Sequence, residues 1–234
     1  MKKTKIEWCD VTINPVVGCT YGCEYCYARK MNDRFKWIPD FSYPQFFSER
    51  LDQLNSQEPK NIFMNSMSDV ADWGVDTTEM VKIMMALNPQ HNYLFLTKRP
   101  LLTPMYYVET QALKIWKGVT VTDTGNIGRA YDLVDITNGG KNLFLSIEPL
   151  HSDLNLYDYT ACIDWIIIGA ETGNRKGKII PKVEWVERIV SDSRKFNVPV
   201  FMKDSLIPIV GEENMLREFP KEFNRQKPQK VSTK

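Results

Sequence analysis

The sequence lacks several features that would assign it to a particular class of protein. No apolar run in its 234 residues is long enough to cross a bilayer. The lysine-containing start, MKKTKIEWCD, is followed by neither an apolar stretch nor a small-residue cleavage site. Charge of one sign is also missing, because 30 basic residues face 29 acidic ones, so no global field draws the chain to nucleic acid. We therefore expect a cytoplasmic protein with no membrane partner.

Cysteine and histidine are scarce, with five and two residues respectively. An odd number of cysteines does not form a complete disulfide framework, and a reducing cytosol disfavours disulfides in any case. Three of the five cysteines nevertheless lie within eight residues, at positions 19, 23 and 26 of the segment GCTYGCEYCYA. Binding of a metal or a metal cluster is the leading interpretation of this group.

The rest of the chain alternates short apolar runs with segments of helical periodicity. Apolar residues recur at helical spacing after Asp76, around Ile127 to Val134 and around Val183 to Val190. The runs between them are apolar nearly throughout, which is typical of strands covered on both faces. The predicted strands are 10–17, 61–65, 93–97, 118–122, 143–147, 165–169 and 199–202. This pattern predicts an α/β fold, a partial (β/α) TIM-like barrel of about six to seven parallel strands.

We expect a single folded domain over residues 1–219. Residues 27–60 contain Pro39 and Pro44 and are interpreted as an elaborated first crossover, with one helix from Gln45 to about Leu54. Residues 220–234 are polar, basic and almost free of large apolar side chains, so this tail is expected to be disordered.

The C-x3-C-x2-C spacing has a direct chemical interpretation. One loop of this length places three thiolates, from Cys19, Cys23 and Cys26, around three corners of a [4Fe–4S] cluster. The fourth iron then has no local protein ligand, and an open coordination position is typical of a catalytic site. The alternative is a zinc site completed by a fourth ligand, for which the candidates are Cys9, Cys162, His91 and His151. No second CxxC or HxxxH pair supports that alternative.

Polar residues directly follow almost every predicted strand. In β/α barrels functional groups gather where strands end, so we expect these side chains to converge on one rim that binds a zwitterion or another polar cofactor. Each residue alone also has a structural explanation, such as capping a helix or standing in solvent. The group comprises Ser66, Ser68, Asp69, Thr97, Lys98, Arg99, Asp123, Glu148, Glu171, Thr172, Lys203 and Asp204.

Two resemblances follow from these residues. CxxxCxxC after a first strand, with the aromatic Tyr25 before the last cysteine, resembles the signature of radical S-adenosylmethionine (SAM) enzymes. Most of the chain also resembles a phage- and mobile-element-associated radical-SAM-like family of unknown substrate, distantly similar to spore photoproduct lyase. The segments that carry this second likeness are TKIEWCDVTINPVVGC, NSMSDV, FLTKRP, GVTVTD, SIEPL, IIIGAETG and VPVFMKD.

The resemblance implies a reaction and a distribution of roles. The free iron would chelate the amino and carboxylate groups of SAM. An electron from a flavodoxin- or ferredoxin-like donor would then release a 5′-deoxyadenosyl radical that abstracts hydrogen from a polar substrate, for which a nucleotide or nucleic acid is the first class to test. Ser66, Ser68 and Asp69 occupy the place of the GGE-type motif for the SAM amino group, a motif that this chain lacks.

The resemblance to SAM-binding enzymes also implies roles for further residues. Lys98 or Arg99 suits the SAM carboxylate. Tyr25 is expected near the adenine, and Gly169 is expected to allow close backbone approach. Substrate contact or proton transfer is assigned, from strand-end position alone, to Glu148, Glu171 and Lys203.

Two other functions compete with this interpretation. One is a non-catalytic binding module in which the cysteines hold zinc or an iron–sulfur cluster for structural purposes. The other is a radical SAM enzyme that modifies a protein or peptide, which the short chain disfavours because a separate recognition domain or auxiliary cluster has little room.

Overall fold

A computed structural model describes residues 4–75, 77–103, 106 and 112–223 of the chain. In this part of the chain, seven strands form a parallel sheet in the order β1-β4-β5-β6-β7-β8-β9, and β2 pairs antiparallel with β3. The strands are β1 (Val11–Thr12), β2 (Val16–Val17), β3 (Gln45–Phe46), β4 (Asn61–Phe63), β5 (Asn92–Thr97), β6 (Lys114–Thr120), β7 (Leu143–Ile147), β8 (Trp165–Ile168) and β9 (Val200–Met202). The sheet is a half-barrel in which sequence neighbours are spatial neighbours, which confirms the predicted α/β fold.

Helices and 3-10 turns connect the strands. The α-helices are α1 (Tyr27–Phe35), α2 (Thr77–Ala86), α3 (Gly128–Ile136), α4 (Tyr157–Thr160), α5 (Val183–Lys195) and α6 (Ile207–Val210). Helices α2, α3 and α5 coincide with the segments of helical periodicity, whereas Asp76, which precedes the first of these segments, lies outside the described residues. No helix in the described ranges is both long and apolar enough to cross a membrane.

The two faces of the sheet bury different side chains. One face packs aliphatic residues against α2, α3 and α5. The other, concave face holds a cluster of rings at the amino-terminal part of the strands, including Trp116, Phe144 and Trp165. Gly118 makes room for this cluster, because a Cβ atom there would lie 2.3 Å from the Phe144 ring. The rings fill the amino-terminal part of the concave face and leave its carboxyl-terminal part to other residues.

The first predicted strand and the first predicted helix were both wrong in detail. The run 10–17 divides into β1 and β2, because Pro15 has no N–H to donate to a sheet and the Asn14 side chain bonds to the loop after β4. Residues Gln45–Phe46 are not helical but pair with Val16–Val17, and a 3-10 helix covers only Ser48–Asn55. Pairing with a distant segment therefore prevailed over the local helical pattern.

The packed part of the chain extends past the expected boundary at residue 219. Lys221–Phe223 form a 3-10 turn, and Phe223 is 3% exposed between the rings of Trp116 and Trp165. The buried Phe223 ring anchors this short segment together with hydrogen bonds that Asn61 and Asn92 donate to the Phe223 and Glu222 carbonyls. The remainder of the predicted tail, residues 224–234, lies outside the described residues.

Candidate active site at the carboxyl ends of the strands

A cavity of about 610 Å³ opens at the carboxyl ends of the parallel strands. Its wall follows from the alternation of side chains along a strand, which places every second residue on the same face. Phe144 lies in the ring cluster, and Ser146 and Glu148 follow it into the cavity wall. Phe201 and Lys203 repeat this order on β9. The concave face is thus apolar where the strands begin and polar where they end.

Most of the predicted site residues line this one cavity. Arg99 and Gly169 are not part of its wall, Asp123 instead caps the turn Thr124–Asn126, and Asp204 pairs with Arg217. The predicted residues in the wall are Cys19, Cys23, Tyr25, Cys26, Ser66, Ser68, Asp69, Thr97, Lys98, Glu148, Glu171, Thr172 and Lys203. The expected convergence of strand-end groups is therefore present.

The three clustered cysteines occupy the loop between β2 and α1, and all three are half-buried. The Cys26 sulfur caps α1 by accepting a hydrogen bond from the Arg29 N–H at 3.3 Å. The Cys19 sulfur accepts one from the Tyr21 N–H at 3.4 Å, but burial raises the pKa of the Cys19 thiol to about 12. A nearby positive charge is what would keep this sulfur ionised.

No three Cys, His, Asp or Glu side chains in the described ranges are grouped closely enough to hold a metal ion. Two of the candidate fourth ligands are also committed elsewhere or remote. His91 is fully buried, and its two ring nitrogens contact the backbone of Lys60 and Leu54. Cys162 is exposed and outside the cavity wall. The cysteine loop therefore offers three thiols of the right chemistry, without a fourth protein ligand from either of these residues.

A polar clamp holds the cysteine loop against the sheet. The Thr20 N–H and hydroxyl both donate to Asp72, at 3.1 and 2.8 Å. Arg99 forms an ion pair with Asp72 at 2.8 Å and donates to the Thr20 hydroxyl at 2.9 Å. The Tyr21 ring lies between two guanidinium groups, 5.8 Å from Arg99 and 5.5 Å from Arg129. Arg99, a predicted ligand of the SAM carboxylate, thus binds the loop instead.

This clamp also sets the charge of Arg99. Burial alone would lower its pKa, but the hydrogen bond that Arg99 donates to Asp72 and the charges of Asp69 and Asp72 outweigh burial and raise it. The guanidinium is therefore permanently charged and paired.

Asp69 joins the loop after β4 to the end of β5. Its carboxylate accepts hydrogen bonds from the Thr97 hydroxyl at 2.6 Å, the Lys98 N–H at 2.9 Å and the Ala71 N–H at 3.0 Å. The Lys98 ammonium lies 5.9 Å from the centre of the Tyr25 ring and forms no ion pair with any described residue. Lys98 therefore contributes to the cavity wall a cation that no carboxylate of the described residues neutralises.

Ser66 and Ser68 are held by neighbouring side chains. The Ser66 hydroxyl donates to Asn14 Oδ1 at 3.0 Å, and the Ser68 hydroxyl accepts from Trp73 Nε1 at 2.9 Å. The Tyr27 hydroxyl donates to the Ser66 carbonyl at 2.5 Å and so links α1 to the same loop. The loop that replaces a GGE motif is therefore fixed in place.

Glu148 and Lys203 form an ion pair across Gly169. Burial alone would lower the pKa of Lys203, but the adjacent Glu148 carboxylate raises it above the ordinary value. A Cβ atom on Gly169 would lie 3.1 Å from Lys203 Cδ and 3.3 Å from Glu148 Cγ. Gly169 was expected to allow a cofactor to approach the backbone closely, but this ion pair occupies the space beside it.

Glu171 is the centre of a second network. Arg175 binds its carboxylate with two hydrogen bonds, of 2.7 and 2.8 Å, and these lower the pKa of Glu171. His151 Nε2 lies 3.2 Å from the same carboxylate, and the His151 ring meets the edge of the Tyr25 ring at 5.6 Å. Arg175 also reaches Glu24, in the cysteine loop, at 3.5 Å. The network tethers the loop from the side opposite the clamp.

Sequence reasoning missed several of these residues. His151 was named only as a candidate zinc ligand, and Asp72, Arg129 and Arg175 were not considered. His151 follows Glu148 by three residues, just past a strand end, and that position was an available signal. Asp72, Arg129 and Arg175 lie in crossover segments, where the sequence does not show which strand end they reach.

A search of curated proteins and a search of solved structures each gave no significant match. A family model does match, over residues 3–218 of the chain, and its description is "Protein of unknown function (DUF5131)". The matched range includes the cysteine loop, all nine strands and the whole cavity wall. Because it covers most of the sequence, the chain belongs to this family, DUF5131.

Proposed function

We propose that the chain is a radical SAM enzyme built on a partial barrel of the TIM type. Cys19, Cys23 and Cys26 would hold a [4Fe–4S] cluster, and the cavity beside them would bind SAM. The observation that carries the proposal is that these three cysteines line the same cavity as the polar strand ends. A structural zinc site does not require a cavity of this kind.

The residues present suit the cluster in chemical type. All three thiols are half-buried, none forms a disulfide, and two accept backbone hydrogen bonds. When bound, such a cluster supplies the electron that cleaves the sulfonium of SAM to a 5′-deoxyadenosyl radical, which abstracts hydrogen from the substrate. The electron would come from a flavodoxin- or ferredoxin-like protein, in keeping with a cytoplasmic location.

The cavity wall offers groups for both ends of the amino acid part of SAM. Lys98 carries an unpaired cation beside the Tyr25 ring and would bind the carboxylate. Asp69 uses three of about four acceptor positions on its carboxylate within the protein, so one remains for an ammonium group. Ser66 and Ser68 border the same end of the cavity. Tyr25 presents a half-buried ring beside Lys98, where it would contact the adenine.

Two ionic networks remain for the substrate. Glu148 and Lys203 face the cavity as a pair, so either can bind a polar group of opposite charge. Glu171 is held ionised by Arg175, and its carboxylate lies 3.2 Å from His151 Nε2, from which it can accept a hydrogen bond. His151 is therefore the side chain positioned to hold or move a proton at its Nε2 atom.

Iron and sulfide analysis tests the metal part of the proposal. After anaerobic reconstitution the wild type should contain about four irons and four sulfides per chain. Cys19→Ala, Cys23→Ala and Cys26→Ala should each lose most of this content, because two thiolates do not anchor the cluster. Cys162→Ala is the matched control, since this cysteine is exposed and outside the cavity.

Two outcomes would contradict the proposal. Stoichiometric zinc in the protein as isolated, which iron and sulfide do not replace, would favour the non-catalytic module. Equal iron content in Cys23→Ala and Cys162→Ala would remove the cysteine loop from the assignment altogether.

A further inference from the structure

Helix α1 has its large apolar side chains on the solvent side. Its buried residues are the small Ala28 and the polar Asn32. Tyr27, Met31 and Phe35, at successive i, i+4 positions of one helix face, are 48%, 38% and 52% exposed. The Tyr27 hydroxyl bonds to the Ser66 carbonyl, but the rings and the Met31 side chain leave apolar surface open to solvent, and an exposed apolar stripe of this kind marks a binding surface.

Trp37 extends the stripe beyond the helix. Its ring is 42% exposed and stacks on the Phe35 ring, with centroids 5.4 Å apart and planes 19° from parallel. Asn32 fixes this arrangement, because its side chain donates to the Ile38 carbonyl and accepts from the Ile38 N–H, both at 3.0 Å. The two stacked rings are thus fixed in position and exposed to solvent.

Positive charge accompanies the rings. Residues 27–37 contain four basic residues and one acidic residue, in a chain whose net charge is only +1. Lys30, Arg34 and Lys36 are exposed, and none of them forms an ion pair with a carboxylate of the described residues. The Arg34 guanidinium lies 5.2 Å from the centre of the Phe35 ring.

The stripe is continuous with the candidate active site. Tyr27, Lys30 and Met31 are part of the cavity wall, and Phe35 lies two helical turns farther out. The distance from Tyr27 to Phe35 along the helix axis is about 12 Å, which matches about three stacked bases at about 3.4 Å each.

We infer that this stripe binds single-stranded nucleic acid and directs it into the cavity. Exposed parallel rings beside unpaired cations are the combination that binds single strands, in which bases stack on aromatic faces and Lys or Arg contacts phosphates. An acidic protein surface would pair with the cations but would give the stacked rings no flat partner to stack on. Only the suggestion that the strand is the substrate rests on the proposed function, because binding of the strand to the stripe needs neither the cluster nor SAM.

Fluorescence anisotropy with a short fluorescein-labelled oligothymidylate tests the inference on the full-length chain. Trp37→Ala should weaken binding about 5- to 150-fold, the loss expected when one stacked base is released. Trp37→Phe retains a flat ring and should recover most of the affinity. Tyr131→Ala is the matched control, because Tyr131 is a 60% exposed aromatic residue on α3. Both positions are exposed, and equal urea midpoints for the three variants would verify that the fold is intact.

The salt dependence gives an independent measurement. Lys36→Gln should reduce the slope of log affinity against log salt by about 0.7, the value for one phosphate contact with a single strand. Lys141→Gln, an exposed lysine after α3, should leave the slope unchanged.

Three results would overturn the inference. The first is no binding of the oligonucleotide at low salt, and the second is equal affinity of Trp37→Ala and Tyr131→Ala for it. The third is a poly-glutamate peptide that displaces the oligonucleotide from the wild type and whose own binding requires Trp37. The last result would assign the stripe to an acidic protein. If the chain binds the oligonucleotide but its cluster does not respond to SAM, the proposed function is refuted and this inference stands. If the cluster responds to SAM but the chain does not bind the oligonucleotide, this inference is refuted and the proposed function stands.

Discussion

Replacement of Asp72 by Asn tests whether the clamp holds the cysteine loop. The Asp72 side chain is 6% exposed and binds Arg99, whose side chain is 22% exposed. Removal of one partner of a buried ion pair costs about 3–5 kcal/mol, but the partial exposure of Arg99 and the nearby Asp69 carboxylate, at 4.0 Å, reduce this to about 2 kcal/mol. An amide oxygen also replaces only one of the two acceptors for Thr20, which costs about 1 kcal/mol.

The expected loss is therefore about 2–3 kcal/mol in the free energy that holds the loop closed. This corresponds to about a 30- to 150-fold larger population of the open loop. Urea unfolding followed by circular dichroism measures the part that contributes to global stability. The rate at which a chelator removes iron from the reconstituted protein measures the local opening.

Asp158→Asn provides the control, because Asp158 is exposed on α4 and should change both quantities little. If Asp72→Asn and Asp158→Asn lose iron at the same rate and unfold within about 0.5 kcal/mol of each other, the clamp does not hold the loop and the reasoning fails.

The remaining predictions concern stability. The pKa of Glu171 is lowered in the folded chain, so its ionised form stabilises the fold at pH values above the ordinary pKa of 4.5. In urea titrations, the difference in unfolding free energy between wild type and Glu171→Gln should therefore shrink as the pH falls below 4.5. Gly169→Ala should cost about 1–3 kcal/mol, because its methyl group meets the ion pair beside it, whereas Gly128→Ala, with open space around the new Cβ, should be neutral or slightly stabilising in the same assay. Phe223→Ala should cost about 3 kcal/mol in urea unfolding, and exposed Lys221→Ala close to none; equal midpoints would mean that the segment does not anchor the concave face.

The sheet was predictable because its signals are local. Apolar runs such as 143–147 coincide with strands, and the helical spacing of 183–190 coincides with α5. Strand β6 begins at Lys114, earlier than the predicted start at residue 118. The prediction began late because Lys114 and Lys117 interrupt the apolar run in the sequence. The Lys117 ammonium is buried yet donates to the Tyr106 carbonyl at 2.8 Å, a long-range contact that the sequence does not show.

The convergence of the site was also predictable, but the role of each side chain was not. A rule about strand ends placed Lys98 and Arg99 on the correct rim. Neighbouring residues at the end of a strand point in different directions, however, and which one enters the cavity depends on Asp72 and Thr20, each in a distant segment of the chain. Helix α1 was missed for a related reason, since its apolar residues face solvent and its first turn is capped by a cysteine.

Low-temperature EPR of the reconstituted and reduced protein, recorded with and without SAM, tests the central claim most directly. A [4Fe–4S] cluster held by Cys19, Cys23 and Cys26 has one iron without a protein ligand, so its signal should shift when SAM binds. Lys98→Ala should weaken the SAM dependence of this shift without reducing the cluster signal itself, because Lys98 would bind only the carboxylate. A cluster signal that is identical with and without SAM would contradict the account.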